Sequence, residues 1–222
     1  MRNRMRLSVP RFHLAATILV GLACLAIPLA AQRDSNRDSW QRPDDVMDAL
    51  HLHAGSVVAD IGAGQGYFTF KFANRVGPSG RVIAEDLLVE RIAALRKTAA
   101  ERNLTQIETI VGTASDPHLP AGALDAILVM NAYHEFQEYD AMMQAMLSAL
   151  KPGGLLAIID AKADLGESRA VYQQRHRLPE QMTLDDAKRN GFRFLQRLRG
   201  FTDSDSGREY YFLLFEKPKP PA

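Results

Sequence analysis

The chain has 222 residues, 46% of them hydrophobic and 24% charged, enough for one α/β domain with a sizeable core but not comfortably two. The formal net charge is +1, yet residues 1–31 hold Arg2, Arg4, Arg6 and Arg11 and no acid, so the remainder carries three more acids than bases. That mildly acidic body argues against nucleic acid as a partner, and the single cysteine, Cys24, leaves the body without a disulfide or a thiolate metal site.

Residues 1–13 are basic, and Leu14 to Ala31 is apolar apart from Thr17, Gly21 and Pro28. This is the layout of a secretory signal, with an uncleaved membrane anchor as the alternative. The body is therefore expected to be exported: periplasmic, or held at the inner membrane through residues 14–31. If the segment does not function, the protein is cytoplasmic. Residues 32–43 read as a polar linker and 44–222 as the domain. Asp44–Leu50 predicts a short helix with Val46, Met47 and Leu50 on one face, and Trp40 reads as a packing anchor before it.

From Ser56 the pattern alternates strand and helix. Ser56–Ile61 predicts a strand, and Tyr67–Val76 a helix. Next come a strand at Arg81–Glu85, a helix over about Leu87–Arg102 striped by Leu88, Ile92, Leu95 and Ala99, and a strand at Ile107–Val111. Leu124–Met130 predicts a strand, Tyr139–Leu150 a helix ended by Lys151-Pro152-Gly153-Gly154, and Leu155–Asp160 a fifth strand. A helix at Thr183–Asn190, a strand at Phe192–Phe201, a loop at 203–207 and a strand at Tyr210–Glu216 close the domain. Such alternation means an α/β fold, a mostly parallel sheet covered on both faces, with the closing strand antiparallel.

In such a sheet ligands bind outside the carboxyl ends of the strands. After the first strand come Asp60 and the turn Gly62-Ala63-Gly64-Gln65-Gly66. Its glycines let a ligand approach the backbone, and the helix N-terminus behind them presents free N–H groups. The G-x-G-x-G spacing differs from the G-x-G-x-x-G of dinucleotide-binding domains and disfavours a nicotinamide enzyme. After the second strand come Glu85 and Asp86, where a carboxylate can accept two hydrogen bonds from a ribose diol or cap the following helix. Thr113 and Ala114 follow the third strand, and Asn131, Tyr133, His134 and Glu135 the fourth. His134 has the intrinsic pKa of a general base, or it packs the loop. His51 and His53 form an H-x-H pair with no third ligand in view, so no metal is expected. His176 and the arginines at 175, 177, 189, 193, 197 and 199 read as solvated faces, or else as a wall for an anionic substrate or membrane headgroups.

The stretches VVADIGAGQGYFTF, VIAEDL, VGTASDPHLP, LDAILVMNAYHEF and LKPGGLLAIID together resemble class I S-adenosylmethionine (SAM)-dependent methyltransferases, over roughly residues 40–217. The likeness is to small-molecule enzymes similar to the ubiquinone/menaquinone C-methyltransferase group, and to exported bacterial homologues carrying Tyr-His-Glu-Phe. It implies a Rossmann-like, doubly wound, seven-stranded sheet and SAM as cofactor. By this resemblance Asp60 and Gly62 hold the methionine ammonium end, and Gly64 and Gly66, with Ala63 between the glycines, let the sulfonium and ribose lie on the turn. Asp86, beside Glu85, binds the ribose. Thr113 and Ala114 meet the adenine, although many relatives carry Asp in place of Thr113, and Asp116 is a substitute. Asn131 sits beside the transferring methyl. Read from the residues, the candidate catalytic base is His134, with Tyr133 and Glu135 beside it, needed only where the acceptor must lose a proton. The implied reaction moves a methyl from SAM to oxygen or carbon of a small-molecule acceptor. The alternative is an exported, non-catalytic SAM- or nucleoside-binding domain of the same fold. The sequence does not indicate an oligomeric state.

Overall fold

The computed structural model describes residues 37–220; the expected signal or anchor at 1–31 lies outside them. Short apolar runs form the strands Val57–Ile61 (β1), Arg81–Asp86 (β2), Ile107–Val111 (β3) and Leu124–Met130 (β4). Leu150–Ala163 (β5), Leu178–Pro179 (β6), Arg193–Thr202 (β7) and Glu209–Glu216 (β8) follow. Helices of the described residues include Pro43–Ala49 (α1), Tyr67–Val76 (α2), Val89–Glu101 (α3), Tyr139–Ala149 (α4), Arg169–Gln174 (α5) and Glu180–Arg189 (α6), with a 3₁₀ turn at Tyr133–Glu135. Sequence patterning did not anticipate the 3₁₀ turn, α5 or β6.

The main sheet runs β3-β2-β1-β4-β5-β8-β7, with β6 paired to the far end of β5. Among the described strands, β8 alone runs against the direction of the others. The expected doubly wound α/β sheet is present. The chain winds from β1 outward to β3, then returns to β4 on the other side of β1. The gap between the carboxyl ends of β1 and β4 is the switch point, where a crevice opens.

Successive strand residues feed opposite faces. Ala59, Ile83, Ile127, Ile158 and Leu213 pack on one side with Met142, Met143 and Met146 of α4. Val58, Val82, Leu128, Ile159 and Phe212 pack on the other with Phe68 and Phe72 of α2 and Val46 of α1. Both faces are covered, which explains why the strands read as unbroken apolar runs.

Two segments depart from expectation. Lys151-Pro152-Gly153-Gly154 is drawn into β5 as an irregular lead-in: Leu124 pairs with Leu150, and the register shifts before Ala126 meets Leu155. Within the stretch expected to be a linker, residues 37–41 are helical. Trp40 there is buried and stacks on Tyr210 at 4.6 Å, and the Arg42 guanidinium donates to the Arg199 carbonyl at 2.8 Å. The segment is thus anchored to the β7–β8 hairpin.

Candidate cofactor and active site

The turn after β1 is built for backbone exposure. Gly62, Gly64 and Gly66 all have positive φ (68°, 57° and 84°), the region that penalises a Cβ. Asp86, at the end of β2, clamps this turn. One carboxylate oxygen accepts the Gly64 N–H at 3.0 Å; the other accepts the Leu88 N–H at 2.9 Å and so caps the approach to α3. Arg91 lies 3.4 Å from the same carboxylate. Capping and ligand recognition are compatible, because a carboxylate has about four lone-pair sites.

Glu85 is 2% exposed. Its Oε2 accepts the Gly62 N–H at 3.4 Å, and its Oε1 has no partner. Burial, helped by the charges of Asp86 and Asp60, pushes its carboxyl up to about 7. Only a glycine at 112 allows this placement, since a Cβ there would lie 1.9 Å from Glu85 Oε1. Asp60 is also buried, and burial raises it to about 6 against the opposing hydrogen bond from Thr69 Oγ1 at 2.6 Å.

A cavity of about 520 Å³ opens at the switch point. Gly62, Glu85, Asp86, Thr113, Ala114 and Asn131 line it, so residues from four strand ends that sequence reasoning singled out meet in one place. Asn131 has φ 52°, which asparagine tolerates better than most residues, and it turns the chain beside the cavity. Thr113 reaches the cavity while its hydroxyl accepts the Asp116 N–H at 3.0 Å, closing its own loop. Asp116 does not line the cavity; its carboxylate accepts the His118 N–H at 2.7 Å. Asp60, Ala63, Gly64 and Gly66 do not line it either: Asp60 fastens Thr69, and Gly64 is joined to the wall through Asp86.

Other wall residues were missed from sequence. Leu87, 52% exposed, lines the cavity too, as do Leu88, Arg91, Phe136, Gln137 and Met142. Leu88 was expected on the buried stripe of the helix, but the helix begins at Val89 and only Ile92, Leu95 and Ala99 are buried. A pair of adjacent leucines directly after an acid was the available signal.

The fourth strand end needs a correction. Tyr133 does not line the cavity. It is fully buried in the core, and its hydroxyl donates to Asp186 at 2.8 Å. Burial, together with the Asp186 charge, pushes its phenol well above 10. Tyr133→Phe is accordingly expected to cost about 1 kcal/mol of stability, read by denaturant melts. His134 is likewise enclosed. Its Nδ1 lies 2.7 Å from Asp160, whose other oxygen accepts the His134 N–H at 2.8 Å. Glu135, next along the turn, lines the cavity.

Four of the six C-terminal arginines form ion pairs with carboxylates. Arg175 meets Glu167, Arg189 meets Asp140 and Asp186, Arg193 meets Glu216, and Arg197 meets Glu180.

Residues 58–154 match the family described as methyltransferase domain. Among curated relatives, a nocamycin O-methyltransferase of Saccharothrix syringae is 29% identical over 113 residues, 51% of this chain and 40% of that protein. A demethylmenaquinone methyltransferase of Listeria monocytogenes is 26% identical over 121 residues, 54% of this chain and 50% of that protein. The chain therefore spans half or less of these relatives' length. A solved structure titled as a SAM-dependent methyltransferase from Aquifex aeolicus superposes with a TM-score of 0.69 at 22% identity, covering 82% of this chain and 92% of that one. At that identity the likeness shows the fold.

Proposed function

We propose, on a methyltransferase domain matched over residues 58–154, that the protein transfers a methyl group from SAM to a small-molecule acceptor. The observation that carries this reading is the meeting of Gly62, Asp86, Thr113, Ala114 and Asn131 around one cavity at the switch point. The residues fit the cofactor. The glycine turn offers close backbone approach, Asp86 has acceptor sites left for a diol, and Leu87 and Leu88 offer apolar cover beside them. SAM supplies a methyl already activated on a cationic sulfur, so the protein's task is to bind, orient and exclude water. Asp86 holds the turn in shape while presenting its carboxylate. Asn131 fixes the chain at the β4 end, and Phe136 and Met142 make that side apolar, which suits a small acceptor with a non-polar part. The proposed acceptor atom is oxygen or carbon; one relative is named an O-methyltransferase. Export of the body is part of the proposal, and mass spectrometry of the mature N-terminus tests it.

Calorimetric titration of the full chain with SAM tests the site. Saturable one-to-one binding is expected, weakened at least tenfold in Asp86→Ala, because two hydrogen bonds to a charged acceptor hold the turn. Binding that is absent, or unchanged by that substitution, contradicts the assignment. Transfer of labelled methyl from SAM to a small-molecule fraction of cell extract separates an enzyme from a binding domain.

A further inference from the structure

Beside the cavity lies a group the proposed reaction does not use. His134 is 1% exposed, and its Nε2 has no hydrogen-bond partner. Since Asp160 accepts from Nδ1, the ring proton sits there and the Nε2 lone pair is bare. That lone pair does not face apolar packing. Glu135 Oε1 is 3.7 Å away, and His176 Nδ1 is 3.7 Å from the same oxygen. The three ligand atoms all lie within 4.8 Å of one another. Ligands about 2.1 Å from a tetrahedral ion stand roughly 3.4 Å apart, so small side-chain rotations bring the set onto one centre.

The two segments are pinned together. Gln173, at the end of α5, donates to the Phe136 carbonyl at 2.9 Å. His176 then turns with φ 49°, and its ring packs edge-on against His134 at 5.5 Å.

We propose that His134 Nε2, the Glu135 carboxylate and His176 Nδ1 form a binding site for a divalent transition-metal cation of the zinc class. Two imidazoles and one carboxylate make a borderline donor set that favours zinc over magnesium. Asp160 is the outer partner that fixes the His134 tautomer, the usual support for a metal-bound histidine. Three protein ligands leave a coordination position open, and Glu135 places the ion at the edge of the cavity. Sequence reasoning expected no metal because the H-x-H pair at 51–53 lacks a third ligand. The fold assembles a different set, from two segments far apart in sequence.

The test uses the untagged full chain, stripped with chelator and free of SAM, so it is independent of methyl transfer. Titration with Zn²⁺ is expected to show one ion per chain at micromolar affinity or better, and Co²⁺ to give visible absorption of low coordination number. Mg²⁺ should not compete. His176 and Glu135 are exposed, so His176→Asn and Glu135→Gln leave the fold intact, as circular dichroism will verify; Asn also accepts the positive φ. Each should weaken Zn²⁺ at least 100-fold, and Asp160→Asn 10–100-fold. No one-to-one Zn²⁺ binding, or binding unchanged in His176→Asn, overturns the site.

Discussion

Gly62→Ala is expected to abolish usable SAM binding, raising Kd at least 100-fold, and to lower stability by about 3 kcal/mol, roughly 6–12 °C in Tm for a domain of this size. Two costs add. A side chain at φ 68° pays about 1–2 kcal/mol. The new Cβ would also stand 2.6 Å from Ala132 Cβ, forcing apart the turns that follow β1 and β4. Those turns face each other across the switch point, so their separation reshapes the cavity itself. Gly64→Ala provides the control. Its φ of 57° carries the same backbone strain, but no atom lies within 4 Å of the added Cβ. It should melt within a few degrees of the parent and still lose affinity if a ligand lies on the turn. Equal Tm losses in the two variants would contradict the steric argument, and unchanged SAM affinity in both would place the cofactor elsewhere.

Glu85→Gln is expected to stabilise the protein at pH 8 and to be neutral below pH 4.5. Burial raises the Glu85 carboxyl from 4.5 to about 7. Between those values the unfolded chain has released its proton while the folded chain keeps it, so stability falls as pH rises through the window. Above pH 7 the folded protein carries a buried carboxylate whose Oε1 has no partner. The accumulated cost approaches about 3 kcal/mol, because each pH step of one between those two values removes about 1.4 kcal/mol. Gln has no proton to lose, so the variant's curve should be flatter from pH 4.5 to 8. Asp60, raised to about 6, retains a smaller fall in the same direction. Urea melts at pH 4.5, 6 and 8 measure the difference, and a gap that does not change with pH would refute a protonation origin.

The legibility of the fold follows from the range of the forces involved. α2, β3 and β4 occupy the predicted residues because a buried parallel strand and an amphipathic helix are both local patterns. The helix after β2 starts later than its pattern because Asp86 caps Leu88, and that hydrogen bond is invisible in a hydropathy stripe. α5 and β6 are too short to have a period; they form because Gln173 finds Phe136 and because Leu178 pairs with Lys162. In the site, the residues at strand ends were legible because topology alone brings strand ends together. Tyr133 was not. On a 3₁₀ turn adjacent side chains diverge, sending Tyr133 inward to Asp186, 53 residues away, while Glu135 points to the cavity. His176 was equally hidden as a neighbour of His134.

β8 is the last strand in chain order and an interior strand of the sheet, held between β5 and β7. Phe212 and Leu213 within it are fully buried. A chain emerging from the ribosome therefore makes β7 before anything exists for it to pair with, and the sheet closes only when residues 209–216 are free of the exit tunnel. Folding of the sheet must therefore wait for residues 209–216. Removing the residues beyond Thr202 would delete β8 and leave β7 with no strand to pair with.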